Sequence, residues 1–251
     1  MQKQTKMLEV KGLTKKYGQL AAVDNLSISL DQGEIFGLLG PNGAGKSTTI
    51  ECILGTRSFD AGHVSLLGRN PVSDRKRLFK QVGVQFQSSH YPDRIKVKEM
   101  CELTASLYKE TFNWKALLAQ FSLQDKMEQM VSSLSGGECQ KLSVVLALIH
   151  KPSIVFLDEL TTGLDPKARR DVWKHMKSLR DQGLTIFLTS HYMDEVTHLC
   201  DRISIINHGK EIITGTPEFV VNASGKSNLE EAYLYFIGEE EDEDEYAVRI
   251  V

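Results

Sequence analysis

Residues 40–48 constrain this chain more than any other stretch: they read Gly40, Pro41, Asn42, Gly43, Ala44, Gly45, Lys46, Ser47, Thr48. The spacing is that of a phosphate-binding loop, a glycine followed after four residues by Gly-Lys-Ser. The motif carries meaning only between a strand and a helix, and both flanks qualify. An apolar run over 35–39 reads as a buried strand, and a helical stretch over 47–54 stops at Gly55. Three glycines let the backbone curl until consecutive N–H groups face one concavity. The positive end of the following helix adds to the field there. Lys46 is placed to reach the β- and γ-phosphates of a nucleotide, and the Ser47 hydroxyl to sit on Mg²⁺.

A chain of 251 residues is long enough to build a full core around such a unit without covalent staples. Its 25% charged and 41% apolar residues are ordinary for a globular protein. The net charge of −3 conceals an asymmetry, because residues 239–245 form an unbroken acidic run. Without that run the body is slightly basic, which suits a nucleotide binder and gives no indication of a nucleic-acid partner. Cys52, Cys101, Cys139 and Cys200 are scattered, with no spacing suited to a metal or a redox pair, so reduced thiols are expected. No stretch resembles a signal peptide or approaches the ~20 apolar residues of a membrane span. The expected location is therefore the cytoplasm, against the inner face of the membrane only if a partner holds it there.

Strands are expected over 7–13, 23–30, 63–67 and 82–86, and short helices over 97–130 with breaks near Glu110-Thr111 and Ser122. A strongly apolar helix follows Ser135-Gly136-Gly137 and ends at Lys151-Pro152. An all-apolar strand over 154–157 ends in Asp158-Glu159. Pro166 opens an amphipathic helix stopped by Gly183. Residues 185–189 read as another buried strand ending near His191, and 203–206 with 211–214 as a hairpin around His208-Gly209. A weaker helix is expected over 229–237. Buried strands alternating with helices argue for an α/β fold with a parallel sheet, whose ligands gather beyond the carboxyl ends of the strands. The glycine loop, Asp158-Glu159 and His191 all fall at such ends.

A carboxylate pair closing an apolar strand is costly unless a cation or a reaction uses it. Beside a phosphate loop, Asp158 would bind Mg²⁺ and Glu159 would orient and polarise the attacking water. The alternative for the pair is a solvent-exposed helix start. Ser135, Gly136, Gly137 and Glu138 open a helix and offer N–H groups and a hydroxyl, which makes either a second anion site or a well-capped helix.

These motifs together resemble the ATP-binding cassette ATPases, over about residues 8–216. The glycine loop resembles the Walker A motif, residues 154–159 Walker B with its catalytic glutamate, and residues 134–140 the signature motif. Gln87 resembles the Q-loop glutamine, Gly163-Leu164-Asp165 the D-loop, and His191 the switch histidine. The resemblance implies a P-loop NTPase core with a RecA-like parallel sheet, an N-terminal antiparallel β subdomain and an inserted helical subdomain. On that pattern residues 1–87 and 132–220 form the core, 88–131 the insert, and 221–251 an extension with an acidic tail. It implies ATP and Mg²⁺ as cofactors. Lys46, Glu159 and His191 would be catalytic, and Ser47, Gln87 and Asp158 would be metal-linked. Tyr17 would stack on adenine, with Val23 beside the nucleotide. It also implies two copies, or one copy and a homologous cassette, paired head to tail. Each ATP then lies between one Walker A loop and the other copy's Ser135, Gly136, Gly137 and Glu138, with Asp165 linking the two sites.

With no membrane span of its own, such a cassette would drive separate integral membrane permeases. Residues 33–48 are similar to the drug, antibiotic and polysaccharide exporters, and residues 87–95 lie where a permease's coupling helix is received. Leu160 departs from the family's usual proline, and Cys139 and Lys141 depart in the signature helix. Two other readings remain, a non-transport cassette ATPase of the iron–sulfur assembly type and a nucleotide-gated binding module.

Overall fold

The computed structural model describes residues 6–86, 91–92 and 94–238. In chain order the first half contains β1 (Lys6–Tyr17), β2 (Leu20–Asp31), β3 (Ile35–Leu39), α1 (Lys46–Ile53), β4 (Ala61–Leu66), α2 (Arg75–Leu78), β5 (Val82–Gln85), α3 (Val97–Ser106) and α4 (Trp114–Gln120). The second half contains α5 (Gly136–Leu148), β6 (Ile154–Asp158), α6 (Pro166–Asp181), β7 (Thr185–Thr189), α7 (Met193–Leu199), β8 (Arg202–Asn207), β9 (Lys210–Gly215), α8 (Pro217–Ser224) and α9 (Leu229–Ile237). Single 3₁₀ turns at Gln124–Lys126 and Val131–Ser133 separate α4 from α5.

Two sheets organise these elements. Strands β2, β1 and β4 form an antiparallel sheet. The larger sheet has the order β5-β6-β7-β3-β8-β9, parallel except for β9, which returns antiparallel along β8. The expected hairpin is therefore present, and its first strand is also a parallel partner of β3.

Strands β3, β6 and β7 are buried along their whole length. Their side chains alternate between two apolar layers, as a strand covered on both faces requires. Ile35, Leu39, Val155, Leu157, Ile186 and Leu188 face the layer shared with the helices from α3 onward. Phe36, Leu38, Ile154, Phe156 and Phe187 face the layer shared with the antiparallel sheet and α1. The register sets Phe36 beside Phe187 and Phe187 beside Phe156. Their ring centroids lie 5.6 and 5.3 Å apart in a row across three strands. Each such pair contributes about 0.5–1.5 kcal/mol beyond simple burial.

Strand β1 runs past the expected end to Tyr17. Its polar end is tied down by Asp60, which accepts the Lys16 N–H at 2.6 Å and lies 3.8 Å from the Lys15 ammonium. Helices α2, α7 and α8, too short to show a clear period, are not among the elements expected from the sequence. Helix α6 matches its expectation: Asp165 caps it, Pro166 fills the first turn and Gly183 follows at φ 100°.

Candidate active site

Strand β3 delivers the chain to the phosphate loop at the carboxyl edge of the large sheet. Gly45 occupies the cap of α1 at φ 102°, and no side chain bonds the first-turn N–H groups. By contrast α4, α6, α8 and α9 are capped by Asn113, Asp165, Thr216 and Asn228. The start of α1 is thus left with donors for an anion. A Cβ on Gly45 would lie 2.2 Å from the Ala22 carbonyl oxygen, so β2 presses against the loop and only glycine fits. The Lys46 ammonium donates to the carbonyls of Gly40 at 2.7 Å and Pro41 at 3.0 Å, closing the loop on itself. Burial pulls this amine below the ordinary lysine range, against the opposing charges of Glu159 and Asp158.

Strand β6 brings Asp158 to the same edge. Its Oδ2 lies 3.4 Å from the Ser47 hydroxyl, and its Oδ1 accepts a short bond from the Thr189 hydroxyl. Thr189 is the last residue of β7, and its hydroxyl oxygen also accepts the Glu159 N–H at 3.1 Å. One threonine therefore registers both carboxylate residues against the strand that leads to His191. Glu159 itself holds φ 55°, a left-handed conformation unusual for its type, which turns the chain sharply after the strand. Its Oε1 lies 3.6 Å from His191 Nδ1, and Thr162 donates to its Oε2 at 3.3 Å. The sequence-predicted acid and histidine, 32 residues apart, are neighbours here.

Ser135 caps α5 in a reciprocal box. Its hydroxyl accepts the Glu138 N–H at 3.3 Å, and its own N–H donates to Glu138 Oε2 at 2.9 Å. That bond, together with Lys126 at 2.9 Å, holds the Glu138 carboxyl down at about 2. The N–H groups of Gly136 and Gly137 belong to the first turn and have no intrahelical acceptor. The well-capped helix of the sequence reading is therefore present, and its first turn keeps free N–H donors. A Cβ on Gly137 would come 3.2 Å from the Gly163 carbonyl, so the signature helix packs closely on the turn that carries Asp165. Asp165 Oδ1 accepts the N–H groups of Lys167 and Ala168, and the Ala168 bond foremost lowers its pKa.

A cavity of about 280 Å³ is lined by Ala22, Asn42, Gly43, Gly45, Lys46, Ser47, Thr48, Asp158 and Glu159. Neither Ser135, Gly136, Gly137, Glu138 nor Asp165 lines it. The structure thus gathers the phosphate loop, the carboxylates and His191, and leaves the signature residues elsewhere on the same chain. Tyr17 is 44% exposed near the β1–β2 turn, with Lys15 and Arg57 at 5.3 and 5.6 Å from its ring centroid. Val23 is fully buried in the core, and its neighbour Ala22 is the residue that lines the cavity. Gln87 and the acidic run 239–245 lie outside the described residues. Leu160, where the resemblance leads one to expect proline, is fully buried in the helical layer.

Gln140, the last residue of the stretch that resembles the signature motif, and Gln85, which carries no expectation of its own, also build the site. Gln140, on α5, donates to the carbonyls of Glu159 at 2.8 Å and Leu160 at 3.1 Å. Gln85 donates to the Asp158 carbonyl at 3.1 Å from the end of β5. Both act on backbone far away in sequence, and nothing in local spacing announces such bonds.

Comparison with known proteins identifies the family. Residues 23–162, more than half of the chain, match the ABC transporter family. The Nod factor export ATP-binding protein I of Ralstonia nicotianae is 37% identical over 237 residues, covering 91% of this chain and 73% of that protein. Its counterpart in Burkholderia pseudomallei is 39% identical over 232 residues, covering 90% and 76%. A solved structure described as the ATP binding subunit of an ABC transporter superposes with a TM-score of 0.84 at 26% identity, covering 92% of this chain and 99% of the other. On this family match and these relatives, the chain belongs to the ABC transporter family and is one of its ATP-binding, ATP-hydrolysing cassettes.

Proposed function

We propose that the chain is the engine subunit of an exporter, working as a head-to-tail pair beneath integral membrane permeases. The observation that carries this reading is the division of the donor set. The cavity at the phosphate loop is lined by that loop, Ala22, Asp158 and Glu159, while Gly136 and Gly137, whose N–H donors open α5, do not line it. A triphosphate has more oxygens than one loop can satisfy, and a second copy's helix start would supply the missing donors. ATP then acts as the adhesive of the dimer, and hydrolysis with phosphate release loosens it.

Within each composite site Lys46 and the loop N–H groups bind phosphate oxygens, and Tyr17 packs on the base. Glu159 orients and polarises the attacking water, and His191 beside it contacts the γ-phosphate. Asp165 and the signature residues Ser135, Gly136, Gly137 and Glu138 act across the interface. The Ser47 hydroxyl and the Asp158 carboxylate are hard oxygen donors close enough to share one cation, which fits Mg²⁺. Among the described residues no group of three or more His, Cys, Asp or Glu forms a metal cage. Magnesium needs none, because it keeps waters and phosphate oxygens as its other ligands and would neutralise phosphate charge during hydrolysis. Gln87 would complete that link from the edge of the helical insert expected over 88–131. Among the described residues no helix is long and apolar enough to cross a membrane. The cassette would therefore reach the cytoplasmic face of the membrane through permeases bound near residues 87–95. Export, as named for the relatives, is the direction this reading carries over.

Sedimentation of Glu159→Gln with and without ATP and Mg²⁺ tests the pairing. The variant should turn over about a hundredfold or more slowly and accumulate as an ATP-dependent dimer. A Cβ on Gly136 meets nothing within 4 Å, so Gly136→Asp can be added without a clash. The double variant should stay monomeric while each monomer still binds nucleotide. A Glu159→Gln preparation that remains monomeric at high concentration, or a Gly136→Asp change that abolishes binding to the monomer, would refute the reading.

A further inference from the structure

Glu195 is a carboxylic acid buried to 0% exposure on α7, and none of the roles above uses it. A buried acid is kept only where specific groups receive it. Its Oε1 accepts the Thr161 hydroxyl at 2.8 Å and the Trp173 indole N–H at 3.0 Å. Its Oε2 is buried with no hydrogen-bond partner among the described residues. Burial pushes the carboxyl up, against the pull of the Ser190 and Thr161 hydroxyls, the Trp173 indole and the Arg169 guanidinium.

The two groups on Oε1 come from different parts of the site. Thr161 lies in the turn that leaves Glu159, where Leu164 N–H bonds its carbonyl at 3.1 Å. Trp173 stands on α6, the helix capped by Asp165. Glu195 itself stands on α7, directly after the segment of Ser190, His191 and Tyr192. That segment is braced inside, since the Tyr192 N–H donates to the Ser190 hydroxyl at 3.0 Å. A second strut runs in parallel: Arg169 donates to the Leu164 carbonyl at 3.1 Å and lies 3.8 Å from the Tyr192 ring centroid. The inner strut is the enclosed one, and Glu195 is its centre.

We propose that Glu195 is a positioning residue for ATP hydrolysis, its buried carboxyl fixing the segment of His191 against the turn that carries Glu159 and Asp165. The inference rests on the roles assigned above to Glu159 and His191. A contact of 3.6 Å between those two side chains is set from outside the cavity, by a residue that touches neither nucleotide nor water. What matters is the acceptor at Oε1, not the charge. Glutamine offers the same acceptor to Thr161 and Trp173, whereas leucine removes the acceptor and keeps the bulk.

The experiment compares Glu195→Gln, Glu195→Leu and Thr161→Val with wild type in the full chain. All are made in a Trp114→Phe background, which leaves Trp173 as the only one of the two tryptophans. Steady-state ATPase separates kcat from KM. Glu195→Leu should lose about tenfold or more in kcat with KM little changed, the scale of a misplaced catalytic pair. Glu195→Gln should recover most of that loss. Trp173 emission should shift in Glu195→Leu and stay near wild type in Glu195→Gln. Wild-type kcat in Glu195→Leu overturns the inference, as does a Gln variant no better than Leu or a proportional loss of kcat and nucleotide affinity. Should Glu195→Leu fail to fold, Thr161→Val carries the test, and wild-type turnover there overturns it equally. If Glu159→Gln turns over like wild type, the roles of the site fail first and the inference with them. If Glu159→Gln is slow and the Glu195 and Thr161 variants are not, only the inference fails.

Discussion

Two glycines of the phosphate loop should respond differently to the same added methyl group. Gly43 sits at φ 83° and Gly45 at φ 102°, both in the left-handed region. A non-glycine residue there costs about 1–2 kcal/mol. Gly43→Ala meets nothing within 4 Å, so that backbone cost is the whole effect. Gly45→Ala also drives its Cβ to 2.2 Å from the Ala22 carbonyl oxygen, which is backbone of β2 and cannot swing aside. Overpacking of that kind adds about 1–3 kcal/mol. The expected losses are about 1–2 kcal/mol for Gly43→Ala and about 2–5 kcal/mol for Gly45→Ala. Against a total stability of about 5–15 kcal/mol, the second is a substantial fraction of the whole. Urea unfolding without nucleotide measures both losses. Titration with ATP should then show the weaker binding in Gly45→Ala, because Ala22 also lines the phosphate cavity. Equal destabilisation by the two variants would refute the claim that β2 is pressed on the loop.

Two further outcomes follow from buried side chains. His150 is 6% exposed, stacked at 4.3 Å on Tyr108, and burial pulls its pKa below the ordinary 6.5 against the Val82 carbonyl. The unfolded chain therefore binds the proton more readily, so this site's stability is full above pH 6.5 and is lost as pH falls through 6.5 towards the folded value. Unfolding midpoints across that window should fall less steeply for His150→Phe, and an unchanged slope would count against the assignment. Gln140→Ala removes both amide bonds from the carbonyls of Glu159 and Leu160, which should cost about 1–3 kcal/mol and lower kcat more than nucleotide affinity. Thermal unfolding beside steady-state kinetics reads both.

The sequence displays those parts of the site whose chemistry is local. Gly43, Gly45, Lys46 and Ser47 act through backbone curvature and a helix start, which spacing reveals. Asp158 and Glu159 stand out because carboxylates rarely end an apolar strand. Strands β3, β6 and β7 are legible because burial on both faces leaves an uninterrupted apolar run. Thr189, Gln140, Gln85 and Glu195 are a different matter. Each is an ordinary polar residue whose partner lies between 19 and 73 residues away, and only the folded register brings them together. Helix α7 escaped for a related reason: seven residues make too short a period to read. The left-handed turn at Glu159 is likewise imposed by Thr189 and Gln140, not by any preference of glutamate.

The row of Phe36, Phe187 and Phe156 puts one ring on each of three adjoining strands, and those strands end in the phosphate loop, the histidine segment and the carboxylate pair. None of the three can slip lengthwise without pulling its ring out of a filled stack. The rings therefore serve as a keel: within one subunit the cluster rides as a single stiff deck. The stroke that turns phosphate chemistry into mechanical work must then come from displacement of whole decks, or of the helices outboard of them.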